Sequence, residues 1–230
     1  MLLYLHGFAS GPQSFKAQRF LHHLQRRGLA LQVPALDEGD FEHLTLSRQL
    51  ALVERLLGAA PRPHVLIGSS MGGYLALLHA QAHPVDALVV MAPAVDFARR
   101  WRERVPPSAL TEWERTGRLW VDHHALKAKA PLGIGLLHDA ERHAPWPRVE
   151  APTLVLQGVR DDVVPLAPVQ QWVERTPAAR LVTYDSDHEL TDVADALCEE
   201  ALRFLAGVPA VARAYPALAS ERTGSTGSED

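Results

Sequence analysis

Two adjacent serines lie among glycines in the run Gly68-Ser69-Ser70-Met71-Gly72. Centred on Ser70 the run reads G-x-S-x-G. Centred on Ser69 it does not, because the flanking positions are then Ile67 and Met71. The apolar run "VLIG" precedes the motif and the helical pattern "YLALLHAQA" follows it. A strand, a sharp turn and a helix form the context in which such a serine projects its hydroxyl outward as a nucleophile. Gly68 and Gly72 carry no Cβ, so neighbouring backbone can approach closely. The N–H of Met71 falls at a helix N-terminus, where a free donor and the helix dipole suit a developing oxyanion.

A serine hydroxyl needs a base, and the base needs an orienting acid. Of the 12 histidines, His188 stands in "YDSDHEL", just after the last predicted strand and just before the last predicted helix. Loops at the carboxyl ends of strands form the ligand crevice of an open α/β sheet, so His188 is on the correct edge. The preceding predicted strand leads into "QGVRDDVVP", which offers Asp161 and Asp162. Spacing alone does not separate these two. A second oxyanion donor is expected at the end of the first strand, in "YLHGF". There Gly7 lets backbone near the substrate oxygen, the N–H of Phe8 is the donor, and His6 holds the loop through its ring nitrogens.

These residues must be positioned by alternating strands and helices. "LLYLH" at Leu2, "LALQVPAL" at Leu29, "HVLIG" at His64, "DALVVMAP" at Asp86, "TLVLQG" at Thr153 and "RLVTYD" at Arg180 read as strands. They are nearly continuously apolar, as parallel strands buried on both faces are. Between them, Ala17, Phe20, Leu21 and Leu24, then Leu46, Leu50, Val53 and Leu57, keep helical spacing. Leu190, Val193, Ala194, Leu197, Ala201 and Phe204 form a last apolar stripe. The alternation predicts an α/β sheet over residues 1–206. From about 97 to 148 no strand is expected, and the stretch reads as an all-helical insertion, or cap. Its Trp101, Trp113, Trp120 and Trp146 serve either the insertion's own core or an apolar wall over a ligand cleft. Residues 207–230 read as a flexible tail.

With Ser70, the Asp161 region, His188 and "LHGF" in place, the chain resembles the α/β-hydrolase family over nearly all of Met1 to Ala206. The family's acid often sits in G-x-x-D-x-x-V-P. Gly158, Asp161, Val164 and Pro165 match that pattern, so the resemblance implies Asp161 as the acid. It also implies a mostly parallel sheet with helices on both faces and a serine hydrolase needing no cofactor or metal. Members commonly carry antiparallel strands before the His-Gly strand, so a trimmed version is expected here. "MAPAVDFARRW" is locally similar to small serine esterases related to mitochondrial acyl-protein thioesterases. That supports an ester or thioester substrate, with peptide and C–C bond hydrolysis as alternatives on the same fold, and the tryptophans lean towards an apolar acyl group.

Composition narrows the alternatives. The net charge of -4 and pI of about 6.3 point to neither nucleic acid nor an anionic membrane surface. The N-terminal apolar run is short and has no basic flank, so no signal or membrane segment is expected. Cys198 is the only cysteine, which fits a cytoplasmic location and a core thiol. His79 and His83, at i and i+4, read as a surface pair without a third metal ligand. "RRWRER" from Arg99 is either a solvated helix face or a contact for an acidic group on a substrate. A non-catalytic module binding small apolar ligands would have no need for Ser70, Asp161 and His188 together.

Overall fold

Residues 1–219 are described by the structure, a computed structural model. The chain opens with β1 (Leu2–Leu5), buried along its whole length. In α1 (Phe15–Gln25) the residues Ala17, Phe20 and Leu24 turn to the core at the expected spacing. α2 (Leu46–Gly58) is capped by Thr45, whose Oγ1 accepts the N–H of Arg48 at 3.1 Å. β2 (Val65–Ser69) runs directly into α3 (Met71–Ala82), which is buried on all sides from Met71 to His79. β3 (Ala87–Met91) follows. The chain then leaves the sheet for α4 (Phe97–Arg104), α5 (Pro107–Thr116), β4 (Arg118–His123), β5 (Ala128–Gly133) and α6 (Gly135–Ala140). It returns as β6 (Thr153–Gly158), α7 (Leu166–Glu174), β7 (Ala179–Tyr184) and α8 (Ala194–Ala206). Last come α9 (Pro209–Ala214) and a 3-10 turn (Pro216–Ala219).

The main sheet has 5 strands in the order β1-β2-β3-β6-β7, all parallel. Alternation along each strand divides the core in two. Leu3, Leu5, Leu66, Leu88, Val90 and Val155 pack against α2, α3 and the insertion. Leu2, Tyr4, Val65, Ile67, Val89 and Leu156 pack against α1 and α8. Five of the six expected strands form. The run at Leu29 gives only a bridge, Gln32 beside Leu3, because Pro34 has no N–H with which to extend a ladder.

Three further expectations are corrected. The insertion is not all-helical, for β4 and β5 pair as an antiparallel hairpin. In β4 the residues Leu119, Val121 and His123 turn inward while Arg118, Trp120 and Asp122 face solvent, a period of two too short to stand out beside the prolines. The tail is folded as far as residue 219, where Val208, Val211 and Leu218 bury themselves against the α1–α8 face. The rest of it, 220–230, lies outside the described residues. His79 is core rather than surface. Its ring stacks on His83 with centroids 4.8 Å apart, and burial pulls its pKa down to about 4. Cys198 is buried as expected, and burial pushes its thiol up to about 12.

The turn from β2 to α3 depends on two close approaches. A Cβ on Gly68 would lie 2.4 Å from the carbonyl oxygen of Gly72. One on Gly72 would lie 2.1 Å from the carbonyl oxygen of Leu5. Both obstacles are backbone, which cannot swing aside. Gly72→Ala is therefore expected to cost several kcal/mol, a fall in Tm of roughly 10 °C for a chain of this size. A Tm within about 2 °C of wild type would mean that the turn relaxes freely. Val211→Asp places an unpaired charge in the second core and should cost at least ~3 kcal/mol by denaturant titration. An unchanged midpoint would show that α9 does not pack there.

Candidate active site

Ser70 has φ 53° and ψ -117°, a backbone conformation that costs an L-residue about 1–3 kcal/mol. Three hydrogen bonds hold it there. Its N–H donates to Met91 at 2.8 Å, and its carbonyl accepts from Tyr74 and Ala94 at 3.0 Å each. Because β3 and the first turn of α3 grip both ends of the residue, the hydroxyl projects from the carboxyl edge of the sheet.

His188 stands in the turn after β7. The Asp187 carboxylate shapes this turn by accepting the N–H groups of Glu189 at 2.9 Å and Leu190 at 3.2 Å. His188 Nε2 is 3.1 Å from Ser70 Oγ, and its Nδ1 is 2.8 Å from Asp161 Oδ2. A carboxylate only accepts, so Nδ1 carries the proton and Nε2 turns its lone pair to the hydroxyl. The two aspartates left open by spacing are separated here. The Asp161 side chain is fully buried, whereas Asp162 is exposed. Asp161 Oδ1 also accepts the N–H groups of Val163 at 2.9 Å and Val164 at 2.7 Å, and Oδ2 accepts Gln157 Nε2 at 2.9 Å. With four donors on two oxygens, the carboxylate has one orientation.

Gln157 escaped the sequence reading. It is a fully buried amide that directly follows the apolar run Leu154–Leu156, and that oddity was the available signal. Its Nε2 also donates to the Val164 carbonyl at 2.8 Å, closing the acid loop on itself. Lys16 was missed as well. Its Nζ donates to the Glu189 carbonyl and lies 3.7 Å from the Glu189 carboxylate, tying α1 to the histidine turn.

The oxyanion donors expected at Phe8 and Met71 donate to no protein acceptor among the described residues. Gly7 adjoins the serine, since a Cβ there would sit 3.5 Å from Ser70 Cβ, in ordinary van der Waals contact. His6 is buried and holds the loop. Its Nε2 accepts the Leu36 N–H at 3.2 Å, so Nδ1 carries the proton and donates to the Gly7 carbonyl at 2.9 Å. Burial lowers the pKa of His6, which keeps that neutral form. The Gly7 carbonyl and the Phe8 N–H belong to one planar peptide unit and point opposite ways. Gripping one end aims the other.

The tryptophans divide between the two expected roles. Trp113 is fully buried and donates its indole N–H to Leu132 at 3.0 Å, so it is core. Trp101 is half-buried, with its ring edge-on to Phe8 at 5.0 Å, and Phe41 flanks Phe8 at 5.5 Å. Those three rings form an apolar wall beside the Phe8 N–H. Trp120 is largely exposed, and Trp146 is exposed over about a third of its surface.

A second serine, histidine and aspartate meet elsewhere. Ser47 Oγ donates to Asp139 at 2.6 Å, and His143 Nε2 is 3.1 Å from Ser47 and 3.4 Å from Asp139. One ring nitrogen faces both partners, so no proton can be passed from one side of the ring to the other. Two surface cavities, of about 480 and 570 Å³, contain neither serine nor cysteine. Among these sites, an imidazole with a hydroxyl on one ring nitrogen and a carboxylate on the other is found at Ser70, His188 and Asp161.

Comparison with known proteins agrees with this architecture. The palmitoyl-protein thioesterase ABHD10, mitochondrial, of Bos taurus is 30% identical over 173 residues, 69% of this chain and 55% of that protein. The chain thus spans about half the length of that relative. The pimeloyl-[acyl-carrier protein] methyl ester esterase of Aromatoleum aromaticum is 27% identical over 224 residues, covering 80% of this chain and 88% of the esterase. Among solved structures, the mouse alpha/beta hydrolase domain-containing protein 10 superposes with a TM-score of 0.71 at 23% identity, covering 87% of each chain. The fold is that of the α/β hydrolases. The family described as the uncharacterised protein family UPF0227 matches residues 1–206, and the chain belongs to it.

Proposed function

We propose that the protein is a serine hydrolase that cleaves carboxylic esters or thioesters through an acyl-enzyme. The observation that carries this reading is the imidazole of His188, set 3.1 Å from Ser70 Oγ on one side and 2.8 Å from Asp161 on the other. His188 takes the Ser70 proton as Oγ attacks the carbonyl carbon. Asp161 stabilises the imidazolium and keeps its ring in place. The N–H groups of Phe8 and Met71 receive the oxyanion. His188 then protonates the leaving alkoxide or thiolate, and water, activated by the same imidazole, releases the acid. The apolar wall of Phe8, Phe41 and Trp101 supports an apolar acyl portion next to the carbonyl. The names of the thioesterase and esterase relatives support the same reaction class.

Ser70→Ala is expected to lower kcat on p-nitrophenyl esters by ~10³-fold or more and to abolish labelling by a fluorophosphonate. Wild-type turnover in that variant would exclude Ser70 as the nucleophile. A wild-type protein that neither labels nor turns over any ester or acyl thioester would favour the non-catalytic module. Gln157→Leu removes one of the four donors that aim Asp161. It should reduce kcat roughly tenfold while leaving KM near the wild-type value, since the acid acts on the imidazole and not on bound substrate. Steady-state kinetics on one ester would show this, and a rise in KM alone would contradict it.

A further inference from the structure

We propose that Arg100 recognises a carboxylate carried by the substrate, so that the preferred esters or thioesters are anionic near the scissile bond; this rests on the hydrolase reading above. Phe97, Arg100 and Trp101 fall at i, i+3 and i+4 on α4 and share one face. Phe97 stacks over Tyr74, with centroids 6.4 Å apart, and Trp101 meets Phe8. From the same face Arg100 reaches the opposite bank, where its Nη2 donates to the carbonyl of Val163, two residues beyond Asp161. The guanidinium therefore stands between the oxyanion side of the cleft and the acid side.

Its neighbours are neutralised and it is not. Arg99 pairs with Asp96 and Glu103, and Arg102 pairs with Glu114 and Glu141. Among the described residues Arg100 has no carboxylate partner, and its Nε and Nη1 donate to no protein group. Asp161 is the strongest favourable charge acting on it, yet both Asp161 oxygens are already filled by His188, Gln157, Val163 and Val164. Arg100 is also half-buried, and this desolvation holds its pKa below the usual arginine range. A partly desolvated fork with free donors gains most from a planar anion that it can grip with two parallel bonds. A neutral ester offers it uncharged acceptors only, and no pair of equivalent oxygens for a two-bond grip.

The test compares three esters: phenyl butyrate, monophenyl glutarate with the carboxylate on the acyl group, and 4-carboxyphenyl butyrate with it on the leaving group. Arg100→Gln is expected to lower kcat/KM for at least one charged ester by about tenfold relative to phenyl butyrate, with Arg100→Lys falling between. The ester that responds identifies the end of the substrate Arg100 holds. Equal losses on all three would overturn the proposal and leave Arg100 a prop for the acid loop, as would no change on any. The corresponding anilides, bound to the full chain and measured by calorimetry, make the same comparison without turnover. If none of the three is hydrolysed, nor any acyl thioester, and a fluorophosphonate does not label the protein, the hydrolase reading fails. In that event selective weakening of a charged anilide by Arg100→Gln still supports anion recognition, and its absence overturns it.

Discussion

The peptide on either side of Ser70 is the constraint from which the site follows. A residue with a Cβ is held at positive φ because Met91 at the end of β3, Ala94 just beyond it and Tyr74 in the first turn of α3 hold its backbone at both ends. That grip requires α3 to lie against the end of β1, and the close passage of Gly72 over the carbonyl of Leu5 permits it. The buried surface of α3 supplies the compensating stability. Its side chains from Met71 to His79 are removed from water, several of them entirely. The site is strained locally because the core beneath it is not.

The remaining groups are fixed by saturation. Asp161 has every acceptor position used, and His6 has both ring nitrogens used. Each ring or carboxylate is left a single tautomer or orientation, and that supplies the direction a proton transfer needs. In the cluster of Ser47, Asp139 and His143 the same three residue types meet at one ring nitrogen, so the imidazole there has no direction in which to pass a proton.

Much of this was legible in the sequence. The serine turn, the histidine after the last strand and the aspartate after the strand before it are local patterns tied to strand ends, and their side chains meet in the structure. The strands themselves were legible because burial on both faces leaves apolar runs with little polar interruption. What escaped depends on distant neighbours. Lys16 meets Glu189 and Arg100 meets Val163 only after folding, and neither pair has a local signature. The hairpin in the insertion escaped because its strands cover one face only, so polar residues interrupt the apolar ones and no continuous apolar run marks them. The folded part of the tail escaped because small apolar residues in a proline-rich run resemble a linker until a groove is there to receive them.

The place at which the insertion joins the sheet has a consequence for how such proteins diverge. It leaves after β3 and returns before β6, while Ser70, the proposed nucleophile, follows β2, Asp161 follows β6, His188 follows β7 and Phe8, the proposed first oxyanion donor, follows β1. The strand end that opens the insertion is thus the one that contributes no reacting group. Lengthening, shortening or repacking it alters the roof of the cleft, through residues such as Trp101, without moving the floor on which the reaction runs. On the proposed reading, selectivity and catalysis are carried largely on separate stretches of the chain, joined where Arg100 of the roof holds the Val163 carbonyl, so a lineage can explore new substrates at little cost to the floor.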